Sequence, residues 1–303
     1  MSDNAPVDPS PDYQAMRNDV GAFELPRDFL RVSGPDSVSW MQGQLSQDVA
    51  ALAVGEAADS LLLQPQGKVE ALVRVLRTGS HEFVLDVDEG FGEAVIERLR
   101  RFKIRIKADL DPIDWHCLAL RGPRAAELGP YATGGVVVPA DWPGLPGIDV
   151  LGEAPALSEP PVRRCSVDSW QTLRIEAGIP AMGAELTEKT IPAEAGIVAR
   201  TVSFTKGCFT GQELVARIDS RGGNVPRHLR GVVVDEATPP VGASLIVGDR
   251  EVGTLTSVAP GPAGVGVVAL AYVRRDVDPP AGVEVRWEGG TAAARVETLP
   301  LVG

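Results

Sequence analysis

The C-terminal part of the chain carries the sequence pattern that most restricts what this protein can fold into. From about residue 229 onward, short runs rich in Val, Leu and Ala alternate with turn residues such as Gly, Pro and Asp. The runs occupy residues 229–234, 244–247, 252–257, 265–273, 283–287 and 292–297. Strands of this length and spacing are typical of a small antiparallel barrel. We therefore predict a separate β-barrel domain over residues 229–303.

The residues before the barrel predict a mixed α+β body over residues 21–228. A strand at residues 29–32 runs into a Gly-Pro pair at residues 34 and 35, and a helix with one apolar face follows. The same order of strand, Gly-Pro turn and helix returns at residues 122 and 123, 88 residues later. This repetition favours two related α+β subdomains, which we expect to be discontinuous in the chain.

Composition and charge narrow the class of protein. Hydrophobic residues make up 44% of the 303 residues and charged residues 23%, as in an ordinary soluble globular protein. The longest apolar run, residues 265–273, is too short to cross a bilayer, and the N-terminus lacks the pattern of a secretory signal. The three cysteines form no Cys-x-x-Cys pair, which favours reduced thiols in the cytoplasm and no metal site.

Two further expectations follow, one from the composition of the N-terminus and one from the net charge of the chain. Residues 1–20 contain several prolines among Asp, Ser and Asn, which predicts a disordered tail. The formal net charge of −12 predicts no tight, direct binding of nucleic acid. The basic stretch at residues 98–107 is the one exception, and we interpret it as a solvated face.

The segment Lys-Gly-Cys-Phe-Thr-Gly-Gln-Glu at residues 206–213 concentrates the residue types that carry chemistry. Thr210 and Glu213 have the spacing of a capping box, which predicts a helix starting at Gly211. Gly207 and Gly211 permit backbone conformations or close approaches that a Cβ would block.

Cys208 precedes the predicted helix, with Lys206 two residues before it. Both features favour a reactive thiolate. The competing interpretation is a helix cap with a small buried cysteine in front of it, and the residues alone do not separate the two.

A second candidate is the helix that contains Trp170 and Glu176. A planar heteroaromatic ligand needs a ring to stack on and a carboxylate that accepts paired N–H donors. These two residues supply both groups, although they point about 120° apart on a straight helix. The alternative is that Trp170 belongs to the core and Glu176 to the solvated surface.

Four segments, at residues 40–49, 65–68, 174–180 and 206–217, together resemble the YgfZ family of folate-binding proteins. The sequence KGCFTGQELVAR, from residue 206, resembles the signature of that family, with Phe209 in place of the usual Tyr. WMQGQLSQDV from residue 40, PQGK from residue 65 and RIEAGIP from residue 174 follow the family's order, and the resemblance covers roughly residues 22–235. It implies the fold of the glycine-cleavage T protein: a three-lobed ring of α+β units with a C-terminal antiparallel β-barrel, and tetrahydrofolate near its centre. It also implies a role in the maturation or repair of iron–sulfur enzymes, including some that modify tRNA.

The resemblance assigns expected roles to individual residues. Trp170 stands at the position of a folate-stacking Trp, and Arg27 falls where the family has a second aromatic ring, for which Phe29 is a possible substitute. The residues expected to act in chemistry are Cys208, Lys206 and Glu70. The residues expected to bind folate are Trp170, Glu176, Arg174, Gln44, Gly207, Thr210, Gln212, Glu213, Arg217 and Arg27.

Three functions remain open at this stage. The first is a tetrahydrofolate-binding accessory protein for iron–sulfur enzymes or their assembly proteins, with Cys208 at its centre. The second is a tetrahydrofolate-dependent aminomethyl- or methyltransferase with Glu70 as base, since Glu70-Ala71 stands where the T protein has an Asp pair. The third is a folate sensor that binds partner proteins through its acidic surface.

Overall fold

The computed structural model describes residues 10–262 and 266–302. The α-helices are α1 (Pro11–Asn18), α2 (Ser37–Gln44), α3 (Gly92–Arg101), α4 (Val167–Ala177), α5 (Val198–Thr201) and α6 (Gln212–Asp219), and a 3-10 helix spans Ala125–Tyr131. The strands of the body are β1 (Gly21–Leu25), β2 (Arg27–Ser33), β3 (Ala57–Leu63), β4 (Val69–Gly79), β5 (Glu82–Asp88), β6 (Asp109–Ile113), β7 (His116–Arg121), β8 (Ala132–Thr133), β9 (Val136–Pro139), β10 (Gly147–Gly152), β11 (Ala156–Leu157) and β12 (Arg163–Arg164). The strands of the barrel are β13 (Arg227–Val234), β14 (Ser244–Val247), β15 (Arg250–Pro260), β16 (Val267–Arg274), β17 (Ala281–Trp287) and β18 (Gly290–Glu297).

The first sheet has the strand order β3-β4-β5-β2-β6. Its interior strand β4 follows a period of two: Val69, Ala71, Val73 and Val75 are buried, and the residues between them are partly exposed. The side chains of Ala71, Val73 and Val75 belong to the same core as residues of α2 and α3. The opposite face of β4 carries Arg74, which lines a cavity described below.

The second sheet has the strand order β12-β1-β7-β10-β9. Its strand β7 ends at a Gly-Pro turn, as β2 does in the first sheet. Gly34 and Gly122 have φ values of +124° and +132°, and a Cβ on either would lie within 2.7 Å of a backbone carbonyl oxygen. The two turns thus require glycine for the same steric reason. An α-helix follows the first turn and a 3-10 helix the second.

The C-terminal strands close into a six-stranded barrel in the order β13-β16-β15-β14-β17-β18. All of its strand pairs are antiparallel, and alternate residues such as Val232, Val234 and Leu245 fill its core. The fold prediction of α+β units with a C-terminal antiparallel barrel is therefore confirmed. The predicted strand at 265–273 is observed from Val267 onward, and residue 265 lies outside the described residues.

The expectation of a disordered tail over residues 1–20 is wrong for residues 11–18, which form α1. Pro11 occupies the first turn, and the Ser10 hydroxyl accepts a hydrogen bond from the amide of Tyr13. Met16 is fully buried against the second sheet and α4. Local composition misled because tertiary contacts stabilise this short helix. Residues 1–9 lie outside the described part of the chain.

Within the described residues, no helix is both long enough and apolar enough to cross a membrane.

Candidate functional site

A cavity of about 330 Å³ lies between the two sheets of the body and helix α4. Strands β3 and β4 contribute Asp59, Leu72 and Arg74, β7 contributes Arg121, and α4 contributes Trp170. Its volume is in the range of small-molecule sites, which span roughly 300–1,000 Å³. Three segments that are distant in sequence thus form a single concave site at the centre of the body.

Aromatic rings form one wall of this central cavity. Trp170 is 3% exposed and stacks on Phe23, with ring centroids 4.8 Å apart. Trp142 meets Trp170 edge to face at 4.7 Å and keeps part of its own surface accessible. The sequence analysis did not single out Trp142, which lies in the Pro- and Gly-rich segment at residues 139–161. A Trp within such a Pro- and Gly-rich segment was the signal available.

The cavity is also rich in arginine. Arg74 bridges the two sheets, since it donates to Asp86 in β5 at 2.8 Å and to Asp149 in β10 at 2.6 Å. Arg121 donates to the other oxygen of Asp149 at 2.7 Å. Burial opposes ionisation of Asp149, but the two guanidinium groups outweigh it and hold the pKa of this carboxyl at about 2. A fixed array of cations and carboxylates therefore lines the site.

The structure brings Trp170, Arg174 and Arg27 to the central cavity. Arg174 is heavily engaged: it donates to Gln171, to the carbonyl of Ile179, to Glu185 and to Ser257 of the barrel. Arg27 donates to Asp86 and Asp88. Both arginines thus shape the wall of the cavity through contacts within the protein.

Phe29, the possible substitute for the second aromatic ring, is not at this wall. It is 3% exposed, and its ring lies 6.2 Å from that of Trp115. Both rings line a separate groove.

Glu176 is not among the residues that line the cavity. Its carboxylate is 1% exposed and accepts hydrogen bonds from Arg17 at 2.5 Å and from the hydroxyl of Tyr13 at 3.1 Å. Side chains of the N-terminal helix α1 therefore bind the carboxylate of Glu176, which was expected to bind folate. The geometry does not bring Glu176 and Trp170 into one pocket.

The segment at residues 206–213 is a loop held against the C-terminal end of α2. Lys206 donates to the carbonyl oxygens of Gln42, Leu45 and Gln47 at 2.6, 2.6 and 2.9 Å. An ammonium has three N–H donors, so all of them are used. Burial lowers the pKa of Lys206 to about 8, and the charge of Asp48 opposes this shift. Lys206 acts as a structural clamp, which explains why a cation occurs at this position.

Cys208 and Gly207 are exposed at the tip of this loop. Neither residue lines the central cavity, so the thiol faces solvent. The amide of Thr210 donates to the carbonyl of Gly43 at 3.3 Å, which ties the loop to α2 a second time. The two anchors hold Cys208 in an accessible position.

The predicted capping box is wrong. Gly211 is the cap residue, with φ +81°, and helix α6 begins at Gln212 without a side-chain cap. The left-handed glycine turns the chain before the hydroxyl of Thr210 can reach the helix amides. The side chain of Gln212 instead accepts from the amide of Phe209 at 3.4 Å, and Glu213 and Arg217 are exposed.

Glu70 and Gln44 meet through Arg98, away from the cavity. Arg98 is 2% exposed and donates to Glu70 at 2.6 Å, to Gln44 at 3.0 Å and to the carbonyl of Leu63 at 3.2 Å. The first cation of the stretch at 98–107 is therefore buried rather than part of a solvated face. Glu70 is bound to a guanidinium, and it is not among the residues that line the central cavity.

Comparisons with known proteins place this geometry in a family. Residues 10–134 match the family model of the GCVT N-terminal domain, and residues 227–302 match that of the glycine cleavage T-protein C-terminal barrel domain. An uncharacterized protein of Haemophilus influenzae is 27% identical over 238 residues, covering 75% of this chain and 80% of its own. An aminomethyltransferase of Thermus thermophilus is 28% identical over 325 residues, covering 96% and 89%.

The fold agrees with these sequence matches. The crystal structure of glycine cleavage system aminomethyltransferase T from Bartonella henselae has a TM-score of 0.82 to this chain. It is 21% identical in sequence, and the match covers 96% of this chain and 88% of that one. The two domain matches and the shared architecture lead to one conclusion: the chain belongs to the family of YgfZ-like and glycine-cleavage-T-protein-like proteins.

Proposed function

We propose that this protein binds tetrahydrofolate in the central cavity and serves as an accessory protein in the maturation or repair of iron–sulfur enzymes, including tRNA-modifying ones. The observation that carries the folate part is the cavity itself, with aromatic rings on one wall and cations around it. A reduced folate has a planar pyrimidine ring at one end and an anionic tail at the other, and these are the groups that indoles and arginines bind. Aminomethyltransferases of the same fold provide the second support.

The accessory role rests on the position of Cys208. A thiol that is exposed on a loop held by Lys206 is accessible to a partner protein without unfolding. One thiol is too few to hold an iron–sulfur cluster, which takes about four thiolates, so a partner must complete any such set. Bound folate supplies a nitrogen that carries one-carbon units, and the chain's own residues bind and orient it.

Replacement of Trp170 by Ala is expected to weaken tetrahydrofolate binding at least several-fold. An aromatic contact contributes about 0.5–1.5 kcal/mol beyond the area it buries, and the indole also keeps Trp142 in place. Isothermal titration calorimetry measures the affinity, and thermal unfolding checks that the variant is folded. Trp287→Ala in the barrel is the matched control. An affinity of Trp170→Ala equal to that of the wild type would remove the aromatic wall from the site.

Replacement of Cys208 by Ala is expected to abolish support of a partner iron–sulfur enzyme while leaving tetrahydrofolate affinity and stability unchanged, because the thiol is exposed and outside the cavity. The measurement is the activity of a tRNA-modifying iron–sulfur enzyme in cells that carry either variant as their sole copy of this protein. Cys165→Ala is the control, because this thiol lies beside α1. Full partner activity with Cys208→Ala would contradict the proposed role.

An aminomethyl- or methyltransferase is the second candidate function, because several relatives bear the name aminomethyltransferase. The two candidates separate in one assay, turnover of a methylamine donor in the presence of tetrahydrofolate. Turnover that is lost in Glu70→Gln would favour the transferase. The ion pair between Glu70 and Arg98 favours a structural role for this carboxylate.

A further inference from the structure

Arg121 is a buried cation whose hydrogen bonds to the protein are all donated by one nitrogen of its guanidinium, Nη1. It is 2% exposed, and Nη1 donates to the carbonyls of Leu120 and Ile148 and to the carboxylate of Asp149. Its Nε is buried and has no partner among residues 10–262 and 266–302. A guanidinium has five N–H donors, and a buried donor without an acceptor costs free energy. The second edge, formed by Nε and Nη2, therefore lacks an acceptor from the described protein.

The surroundings of Arg121 hold its guanidinium close to two indole rings. The guanidinium carbon lies 4.7 Å from the ring centroid of Trp142 and 4.9 Å from that of Trp170, and the two indole rings are inclined by 62°. Cation–π attraction and the ion pair with Asp149 hold the group in place. All four residues line the central cavity, so the guanidinium of Arg121 is part of its aromatic wall.

The exposure of the lining residues gives the cavity an orientation. Arg121 and Trp170 are almost fully buried, whereas the ion pair of Arg200 and Asp59 has side chains that are 35% exposed. A flat ring gains free energy from burial, and carboxylates lose it unless they stay solvated or paired. The ring of a folate is therefore expected at Arg121 and Trp142, and its anionic tail towards Arg200.

We propose that Arg121 recognises an oxygen acceptor on the ring of the ligand in the central cavity, namely the C4 carbonyl of a reduced pterin. This inference rests on the proposed binding of folate to the cavity. The carbonyl would accept from the unused edge of the guanidinium, which satisfies the buried donor. An amino group at C4 would instead direct N–H donors at N–H donors, so Arg121 would discriminate between the two rings.

The test compares two ligands that differ at C4 of the ring and, as a consequence, in whether the neighbouring N3 carries a hydrogen. Tetrahydrofolate carries oxygen at C4, and the tetrahydro form of aminopterin carries an amino group there. Anaerobic calorimetry with the wild-type protein should show tetrahydrofolate binding at least about tenfold tighter, which corresponds to the loss of one charge-assisted hydrogen bond. In Arg121→Lys the preference should shrink to within a few-fold. A lysine keeps a charge for Asp149, but its compact ammonium lacks the second edge of a guanidinium.

The outcomes separate this inference from the folate proposal. If neither ligand binds the wild-type protein, the folate proposal fails and this inference with it. If both bind the wild-type protein equally, folate binding stands and the role of Arg121 is overturned. The third probe is p-aminobenzoylglutamate, which is the tail of folate without the pterin ring. If Arg121→Lys weakens the binding of this probe as much as that of tetrahydrofolate, the guanidinium binds the tail and the inference is wrong. If Arg121→Lys fails to fold, the comparison of ligands on the wild-type protein decides alone.

Discussion

Asp149→Ala is expected to lower the free energy of unfolding by about 3–5 kcal/mol, which is typical when one partner of a buried ion pair is removed. Asp149 is 2% exposed and accepts from Arg74 of one sheet and Arg121 of its own. Without the carboxylate, Arg121 loses its ion-pair partner and Arg74 keeps only Asp86, so a buried cation is left without a compensating charge. The contact between the sheets that line the cavity should weaken with it. Urea unfolding followed by tryptophan fluorescence measures the effect.

The barrel offers a matched control for this variant. Asp276 also accepts from two arginines, Arg250 and Arg274, but its side chain is 44% exposed. Exposed pairs contribute little because water screens them, so Asp276→Ala should leave the unfolding midpoint nearly unchanged. Equal effects of the two substitutions would show that burial does not govern the contribution of these ion pairs.

The ion pairs of Asp149 also predict how the free energy of unfolding depends on pH. The pKa of Asp149 is depressed from 3.8 to about 2, so its contribution is complete above about pH 4 and is lost as the pH falls towards 2. A shift of this size corresponds to about 2 kcal/mol. The free energy of unfolding of the wild-type protein should fall more steeply over this range than that of Asp149→Ala. Parallel curves would contradict the assignment.

Gly211→Ala is expected to lower the free energy of unfolding by about 2–5 kcal/mol, from about 1–2 for a left-handed residue with a Cβ and about 1–3 for overpacking. Gly211 has φ +81°, and a Cβ there would lie 2.5 Å from the carbonyl oxygen of Gln64 and 2.8 Å from Cβ of Leu63. The turn that closes the Cys208 loop has to move away from strand β3. Thermal unfolding measures the loss.

Gly207 in the same loop provides the comparison. No atom lies within 4 Å of a Cβ built at Gly207, and its φ is not positive. Gly207→Ala should therefore change the unfolding temperature little. If Gly207→Ala loses as much stability as Gly211→Ala, the positive φ and the steric clash at Gly211 are not the cause of the loss.

Local patterns determined most of the architecture. The barrel strands were predicted from their alternation, because a strand with one buried face must repeat every two residues wherever it sits. The repeated Gly-Pro turns were visible for a similar reason, since the positive φ of Gly34 and Gly122 is a local backbone conformation that favours glycine. The segment at 206–213 stood out because its residue types are unusual together, although its cap was assigned to Thr210 rather than Gly211.

The partners of the polar side chains were decided only by the tertiary structure. Glu176 meets Arg17 across 159 residues, and Lys206 meets the carbonyl of Gln42 across 164. Such contacts depend on how lobes pack, which no local period encodes. Composition likewise predicted disorder for the segment in which α1 forms.

The aromatic wall of the central cavity likewise depends partly on local sequence and partly on tertiary packing. Trp170 could be singled out from its helix, but Trp142 and Arg121 reach it only when β7, the β9–β10 hairpin and α4 converge on one cavity. The sequence by itself determined which elements form, because their signals are periodic and short-ranged. The tertiary structure alone decided which charges are paired, which donor of Arg121 is left without an acceptor and where the thiol of Cys208 points, because these are set by contacts between residues far apart in the chain.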